Sequence, residues 1–419
     1  MQLSLVGINH QTAPVAIREK VAVRTEGLLD SLSLLRSYLP QGVILSTCNR
    51  TEIYATGNSP IDLEKASLRF LIERAGVSGT SLRRHVYLLK DSGAAHHLFR
   101  TTSGLESMII GEFEVLGQVK QALEIAEQAD MVNLPLRQVF TNALQTGRRV
   151  REETGISRNA LSVSSVAVDL AAGIVGDLEQ NRMLVIGAGE AGRLVAKVAK
   201  DRRIARIVIA SRTKERARVL AETLQGIPAD LDSLDNELNT ATIVVTCAGA
   251  PHRILSASRV HKAMCNRPDL PLVIVDIALP RNVEPEVGRI NNVFLYNIDD
   301  LTAISEANRK QREDETQKAE KIVAEEIEKF NLWWQQLDVR PLVGALMSKA
   351  ERIRSAQLDI TLKKLPPLSA EQREDLEAMT KSIVARILND PIQFLKANTN
   401  GYHAEALREL FQLGSEGNK

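Results

Sequence analysis

Apolar and polar positions alternate in three distinct regimes along the chain. Over residues 1–160, short apolar runs and helical repeats are mixed without a fixed order. LSLVGI near the start reads as a strand. VILSTCNRTEIYAT (43–56) reads as two short strands flanking a polar tip at Cys48, Asn49 and Arg50. Helical spacing predicts helices near 26–39, 61–76, 93–103, 115–129 and 134–153. Strands and helices in this non-alternating order predict an α+β unit. A helix over 161–180 leads into the second regime. There MLVIG, RIVIASR, TIVVTCAG and PLVIVDIA are continuous apolar runs separated by helices. Runs of that kind predict a parallel sheet covered on both faces.

Beyond Leu301 the pattern changes again. SEANRKQREDETQKAEK (305–321) is almost wholly polar, and then Val323, Ile327, Phe330, Trp334 and Leu337 recur at spacings of four and three. The pattern predicts one long helix, exposed at first and then packed along one face, which Pro341 breaks. Ser369 and Gln372 have capping-box spacing ahead of Leu376, Met379, Ile383 and Ile387. Residues 342–413 therefore read as a small helical domain whose apolar faces need cover, from within the chain or from a second copy.

Composition narrows the classes. A chain of 419 residues exceeds one compact domain, and 44% hydrophobic with 25% charged residues is ordinary globular usage. A net charge of +1 gives no overall field toward nucleic acid or membrane, which leaves room for a local basic patch. Arg137, Arg148, Arg149, Arg151 and Arg158 form one such candidate, equally readable as a solvated helix face. Cys48, Cys247 and Cys265 are far apart and lack metal-ligand spacing. They predict no disulfide framework, no metal site and a reducing, cytoplasmic setting. MQLSLVGINH has no signal-peptide pattern, and no apolar run approaches the roughly 20 residues of a membrane span.

Two stretches carry candidate chemistry. Gly187, Ala188, Gly189, Glu190, Ala191 and Gly192 form a GxGxxG directly between an apolar strand and a helix. In that context the glycines permit a tight turn, close approach of a pyrophosphate, and close helix–strand packing. This is a Rossmann-type dinucleotide site. About 20 residues on, where an acidic residue would hold an NAD ribose, stand Ser211, Arg212 and Thr213. A guanidinium and two hydroxyls suit a 2′-phosphate and favour NADP. Cys247, at the end of what reads as the third strand, fits a small buried residue better than a catalytic one. In the first unit, Cys48 sits at a strand tip beside Thr47, Asn49 and Arg50. It reads equally as a nucleophile or as a small core residue, and Arg50 as a source of charge or a carboxylate clamp. His97 reads as an orienting or acid–base group, or as helix packing. Ser107, Glu112, Glu114 and Gln118 form a polar series among Gly104, Gly111 and Gly117, which interrupt the helical pattern.

These stretches resemble a known family. GINHQTAPVAIRE (7–19), LSTCNRTEIY (45–54), SGLESMIIGEFEVLGQVKQA (103–122), VIGAGEAG (185–192), SRT (211–213) and VDIALPRNVEP (275–285) occur in the order found in glutamyl-tRNA reductases. The resemblance implies NADPH-dependent reduction of glutamyl-tRNA(Glu) to glutamate-1-semialdehyde, the first step of the five-carbon route to tetrapyrroles. It implies that Cys48 forms a thioester and that His97 is needed for full activity. Thr47, Asn49, Arg50, Ser107, Glu112, Phe113, Glu114 and Gln118 then fall at substrate positions, with Arg50 on the glutamate α-carboxylate. Phe113 and Glu114 depart from the family, which has a small residue or proline and then glutamine there. The implied organisation is a catalytic domain (1–158), an NADPH domain (159–298), a long connecting helix (299–338) and a helical dimerisation domain (339–419). The implied partners are charged tRNA(Glu), a second copy of the chain and the aminomutase that consumes the aldehyde. Two other readings remain at this stage. A shikimate-dehydrogenase-like reductase of a free metabolite would not need Cys48 or the long helix. A tRNA-binding scaffold would need neither the thiol nor the glycine loop.

Overall fold

The computed structural model describes residues 1–76, 79–112, 114–156, 162–301, 313–397 and 401–413. Phe113, Arg158, the proposed boundary at 158/159 and the start of the connecting helix at 299–312 fall wholly or partly outside these residues. The chain divides into two compact units, Gln2–Ile327 and Glu328–Lys419.

The first unit opens with β1 (Gln2–Asn9), α1 (Val15–Val21), α2 (Leu28–Arg36), β2 (Val43–Ser46) and β3 (Arg50–Gly57). Then come α3 (Pro60–Ala75), α4 (Gly79–Arg83), β4 (Tyr87–Lys90), α5 (Asp91–Thr102), α6 (Glu114–Gln128) and α7 (Leu134–Glu153). The four strands form an antiparallel sheet in the order β2-β3-β1-β4. The α+β expectation holds. Helix α1 and strand β4 were not foreseen, because each is only a few residues long and neither shows a full period. Gly117 does not interrupt a helix, since it lies inside α6. Gly104 and Gly111 do, with φ of +75° and +84°, a region that only glycine adopts freely.

Helix α8 (Val163–Val175) begins at a capping box formed by Ser162 and Ser165. The Rossmann-type unit follows: β5 (Arg182–Ile186), α9 (Glu190–Asp201), β6 (Arg206–Ser211), α10 (Lys214–Leu224), β7 (Ile227–Asp230), α11 (Leu234–Leu238), β8 (Ile243–Thr246), α12 (Ala257–Cys265), β9 (Leu272–Asp276) and β10 (Val293–Asn297). All six strands are parallel, in the order β10-β9-β8-β5-β6-β7. The four apolar runs are its four central strands. Edge strands β7 and β10 were missed: β7 carries Pro228, tolerable only at an edge, and β10 exposes Phe294. Cys247 consequently follows the fourth strand in chain order, not the third.

Helix α13 (Glu313–Leu362) runs on through position 341, so the expected break there does not occur. A proline inside a helix costs about 3 kcal/mol. Burial of Leu342 and Leu346 immediately beyond it offsets that cost. Val323, Phe330 and Trp334 are buried, as their spacing predicts. Helices α14 (Ala370–Ala397) and α15 (Gly401–Leu410) complete the second unit, whose core is Leu342, Leu346, Leu388, Leu395, Leu407 and Leu413. The Ser369–Gln372 capping box forms with both reciprocal bonds, at 3.0 and 3.2 Å.

Candidate active site

Strands β2 and β3 are joined by three residues, and this tight connection fixes the thiol. Thr47 N donates to Arg50 O at 2.8 Å, Asn49 N to Thr47 Oγ1 at 3.1 Å, and His10 N to Asn49 O at 2.9 Å. Behind the turn, Arg18 Nη1 donates to the Cys48 carbonyl at 2.5 Å. Thr47, Cys48, Asn49, Arg50, Ser107, Glu112, Val115 and Gln118 line one small cavity. Seven of the sequence-predicted residues therefore meet at one place, although 55 or more positions separate Asn49 and Arg50 from Ser107, Glu112 and Gln118. The remaining room, about 10 Å³, holds no more than a water.

Arg50 is buried, and its charge is answered from behind by Glu52, which is 0% exposed. Arg50 Nη1 donates to Glu52 Oε1 at 2.7 Å and to Thr101 Oγ1 at 3.2 Å, and Nη2 donates to the Glu106 carbonyl. Tyr54 and Tyr87 donate to Glu52 at 2.6 and 2.5 Å. His97 Nε2 lies 2.9 Å from Glu52 Oε1 and 3.2 Å from Arg50 Nη1. The shorter contact is to an acceptor-only carboxylate and puts the proton on Nε2. Burial pulls the Glu52 carboxyl upward, but Arg50, His97 and Tyr54 together hold it far below the usual carboxylate range. His97 thus stands behind Arg50, among the groups that orient it, and not on the cavity wall.

Sequence reasoning missed Glu52. The signal was there: Arg50, Glu52 and Tyr54 alternate along β3 and so share one face of an otherwise apolar strand. A charged pair on a buried strand face requires mutual neutralisation.

The cation whose charge bears on the Cys48 thiol is Arg18, also missed, while Arg50 pairs with Glu52 and keeps its place on the cavity lining, where its charge reaches Glu112. The thiol keeps part of its surface open, yet burial pushes it up to about 12, with Glu112 and Glu114 adding to the rise and Arg18 opposing it. Glu112 is pushed up to about 8, first by burial and then by Glu114, against Arg50. Only burial and the charges of Glu114 and Arg50, and no hydrogen bond to a described residue, act on its carboxyl. Glu114 does not line the cavity. Burial and then Glu190 raise it to about 7, against Arg193, so it lies within electrostatic reach of the first turns of α9.

That loop has the geometry of a phosphate cradle. Gly187 has φ of +125°, and a Cβ on Gly192 would stand 1.9 Å from the Gly187 carbonyl. A Cβ on Gly189 would meet nothing within 4 Å, so the backbone there is open to a ligand. Ala188 completes the turn, and Glu190 and Ala191 open α9, whose N-terminal amides suit a phosphate. Ser211 ends β6, followed by exposed Arg212 and Thr213 at the start of α10. These residues fit a dinucleotide. Cys247 Sγ sits under the loop, 3.5 Å from the Ile186 carbonyl, and burial and Asp276 push its thiol up to about 12, which suits packing. Of the basic candidates, Arg137 pairs with Glu127, and Arg149 with Glu153, Glu325 and Glu326, leaving Arg148 exposed. Among the described residues no cluster of metal ligands occurs, and no helix is long and apolar enough to cross a membrane.

Known proteins match this architecture along its length. Residues 6–154 match the family model for the N-terminal domain of glutamyl-tRNA(Glu) reductase, and residues 318–413 match that for its dimerisation domain. Residues 169–304 match shikimate/quinate 5-dehydrogenase. The chain is 38% identical to a glutamyl-tRNA reductase of Natranaerobius thermophilus over 99% of this chain and 93% of that one. It is 39% identical to that of Moorella thermoacetica over 97% and 94%. The solved glutamyl-tRNA reductase of Methanopyrus kandleri is 34% identical, with a TM-score of 0.51 over 98% of this chain and 99% of that one.

Proposed function

The chain belongs to the glutamyl-tRNA reductase family, and on that premise we propose how its own residues carry the reaction. It is a nicotinamide-dependent oxidoreductase of the five-carbon route to tetrapyrroles, acts on glutamyl-tRNA(Glu), and dimerises through its helical C-terminal unit. The reading of the site rests on one observation: Cys48, Arg50, Ser107, Glu112 and Gln118 meet in one cavity.

Cys48 Sγ attacks the ester carbonyl. The S–C bond forms, the C–O bond to the tRNA 3′ end breaks, and the thiol proton leaves with the ribose hydroxyl. Arg50 supplies the cavity's positive charge. The carboxylate it takes is the γ one and not the α one, because the α-carboxyl is the group esterified to tRNA. Glu112, buried with no hydrogen-bond donor, takes the α-ammonium. That cation offsets the two carboxyl groups that add to the effect of burial on the thiol, so substrate entry itself favours the thiolate. Thr47, Asn49, Ser107 and Gln118 line the remainder, and His97 orients Arg50 through Glu52. Glu114 lies within electrostatic reach of Glu190 and Arg193 at the start of α9, so the carboxyl that replaces the family's glutamine bears on the approach of the cofactor phosphates. Phe113 is kept with the substrate positions on the resemblance.

NADPH, when bound, supplies the hydride that converts the thioester to aldehyde and returns Cys48 as a thiolate. The residues Gly187 to Gly192 would hold its pyrophosphate, and Ser211, Arg212 and Thr213 would select the 2′-phosphate. The cell compartment is the reducing cytoplasm. The product is an α-amino aldehyde, unstable in water, which favours direct delivery to an aminomutase.

The test uses tRNA charged with labelled glutamate, without NADPH, on wild type and Cys48→Ser. Thiol-labile label on wild type alone, released as aldehyde when NADPH is added, is the expected result. Absence of label together with NADPH oxidation that ignores charged tRNA would leave a free-metabolite reductase instead.

A further inference from the structure

We propose that Arg18 and Glu19, neighbours on helix α1, are positioning residues that set the Cys48 nucleophile in register with the cofactor-binding sheet; the inference rests on the reaction proposed above. Consecutive helical residues point about 100° apart, so the two side chains reach different partners.

Arg18 reaches the nucleophile and the far end of the parallel sheet together. It is 1% exposed. Nη1 holds the Cys48 carbonyl at 2.5 Å, Nε holds the Ala13 carbonyl at 3.2 Å, and Nη2 pairs with Asp299, two residues beyond β10. The second oxygen of Asp299 accepts from Val15 N, at the start of α1, at 3.0 Å. A buried guanidinium is costly unless its donors are partnered, and here each of its three nitrogens donates to one of these groups.

Glu19 reaches the loop after β9. Its carboxylate grips the Arg281 guanidinium with both oxygens, at 2.9 and 3.0 Å, and accepts from Arg281 N at 3.3 Å. That loop is rigidly presented. Asp276, nearly fully buried, accepts from Thr246 Oγ1, Ala278 N, Asn282 N and Val283 N at 2.7 to 3.1 Å. Asn282 Oδ1 in turn accepts from Ala248 N, just past β8, at 2.9 Å. These are the carboxyl ends of the parallel strands, where a dinucleotide lies in this fold. One short helix therefore touches the thiol's own peptide group on one side and the rim of the cofactor site on the other.

Attack on the ester uses groups of the antiparallel-sheet domain alone. Hydride transfer needs both domains aligned, and an error near 1 Å costs on the order of 100-fold. Breaking the Glu19–Arg281 grip therefore separates the half-reactions, whereas altering Arg18 touches both.

The experiment is a single-turnover series with labelled glutamyl-tRNA and then NADPH, on Glu19→Arg, Arg281→Glu and the exchanged double variant. Each single variant is expected to take up label within about twofold of wild type and to release aldehyde on the order of tenfold more slowly. The double variant, with the pair reversed, is expected to recover most of that loss. Glu19→Gln serves as a milder version if either charge reversal fails to fold. Arg18→Lys keeps the charge but not the fork, and is expected to slow label uptake on the order of tenfold, the size of one charge-assisted hydrogen bond. Wild-type release rates in the single variants overturn the proposal, as does a double variant no better than the singles. If wild type takes up no label, the assigned reaction fails instead. The docking is then read by deuterium exchange at 277–283, which rises in each single variant and falls back in the exchanged pair; no such recovery overturns it.

Discussion

Glu112 and Glu114 bring two carboxyl groups close to one thiol, and the consequence for pH is specific. Burial, then Glu114, lifts Glu112 to about 8 in the folded protein, against an ordinary value of 4.5. Between those two values the folded chain keeps a proton that the unfolded chain has released. Stability from this group therefore falls as pH rises through that window, and below it the group costs nothing. Glu112→Gln is expected to melt a few degrees above wild type at pH 8, on the order of 1 kcal/mol, with the gap closing toward pH 5. A gap that ignores pH would show that the carboxyl is ionised in the fold. The cavity residues were legible because they lie in two compact motifs. Arg18 was not, because its acidic partner stands 281 positions away and no periodicity links them.

The helices and strands that the sequence shows well are those with a full period or a continuous apolar run. The central strands β5, β6, β8 and β9 and the long helices are of that kind. Edge strands and the seven-residue α1 are not, since they are fixed by neighbours already in place and not by their own pattern. The end of β6 carries a testable choice. Arg212 stands exposed where the ribose of a bound dinucleotide falls. Arg212→Ala is expected to raise the KM for NADPH about tenfold and to leave that for NADH nearly unchanged, which steady-state kinetics with both cofactors measures. Equal losses for the two would remove Arg212 from 2′-phosphate recognition.

At the scale of the molecule, the two units treat the long helix differently. In the first, Glu320 and Glu325 with Glu326 on α13 are paired to Arg100 and Arg149, which ties that stretch of helix to the antiparallel-sheet domain. In the second, Met379, Ile383 and Ile387 remain 52%, 49% and 66% exposed along α14, in a groove shared with Ile353 of α13. Exposed apolar faces of this size mark an interface, and these lie within the stretch that matches the dimerisation-domain model. Ile383→Glu is expected to convert the dimer to monomer in sedimentation, while Cys48 keeps its reactivity toward alkylation. A dimer that survives the charge would place the contact elsewhere on these helices. The helical unit was legible from its caps and its apolar spacing, whereas the persistence of α13 past position 341 depends on packing that no local rule contains.

The four donors that converge on Glu52 come from Arg50 and Tyr54 on β3, Tyr87 just across the sheet on β4, and His97 on α5. Neither Arg50 nor Glu52 can be exchanged alone without stranding its partner's charge in the interior, and loss of Tyr54, Tyr87 or His97 takes one donor from the Glu52 carboxylate. A single-step exchange of either member of that pair is therefore expected to cost several kcal/mol. Related sequences are therefore expected to keep Arg50 and Glu52 together or to replace both.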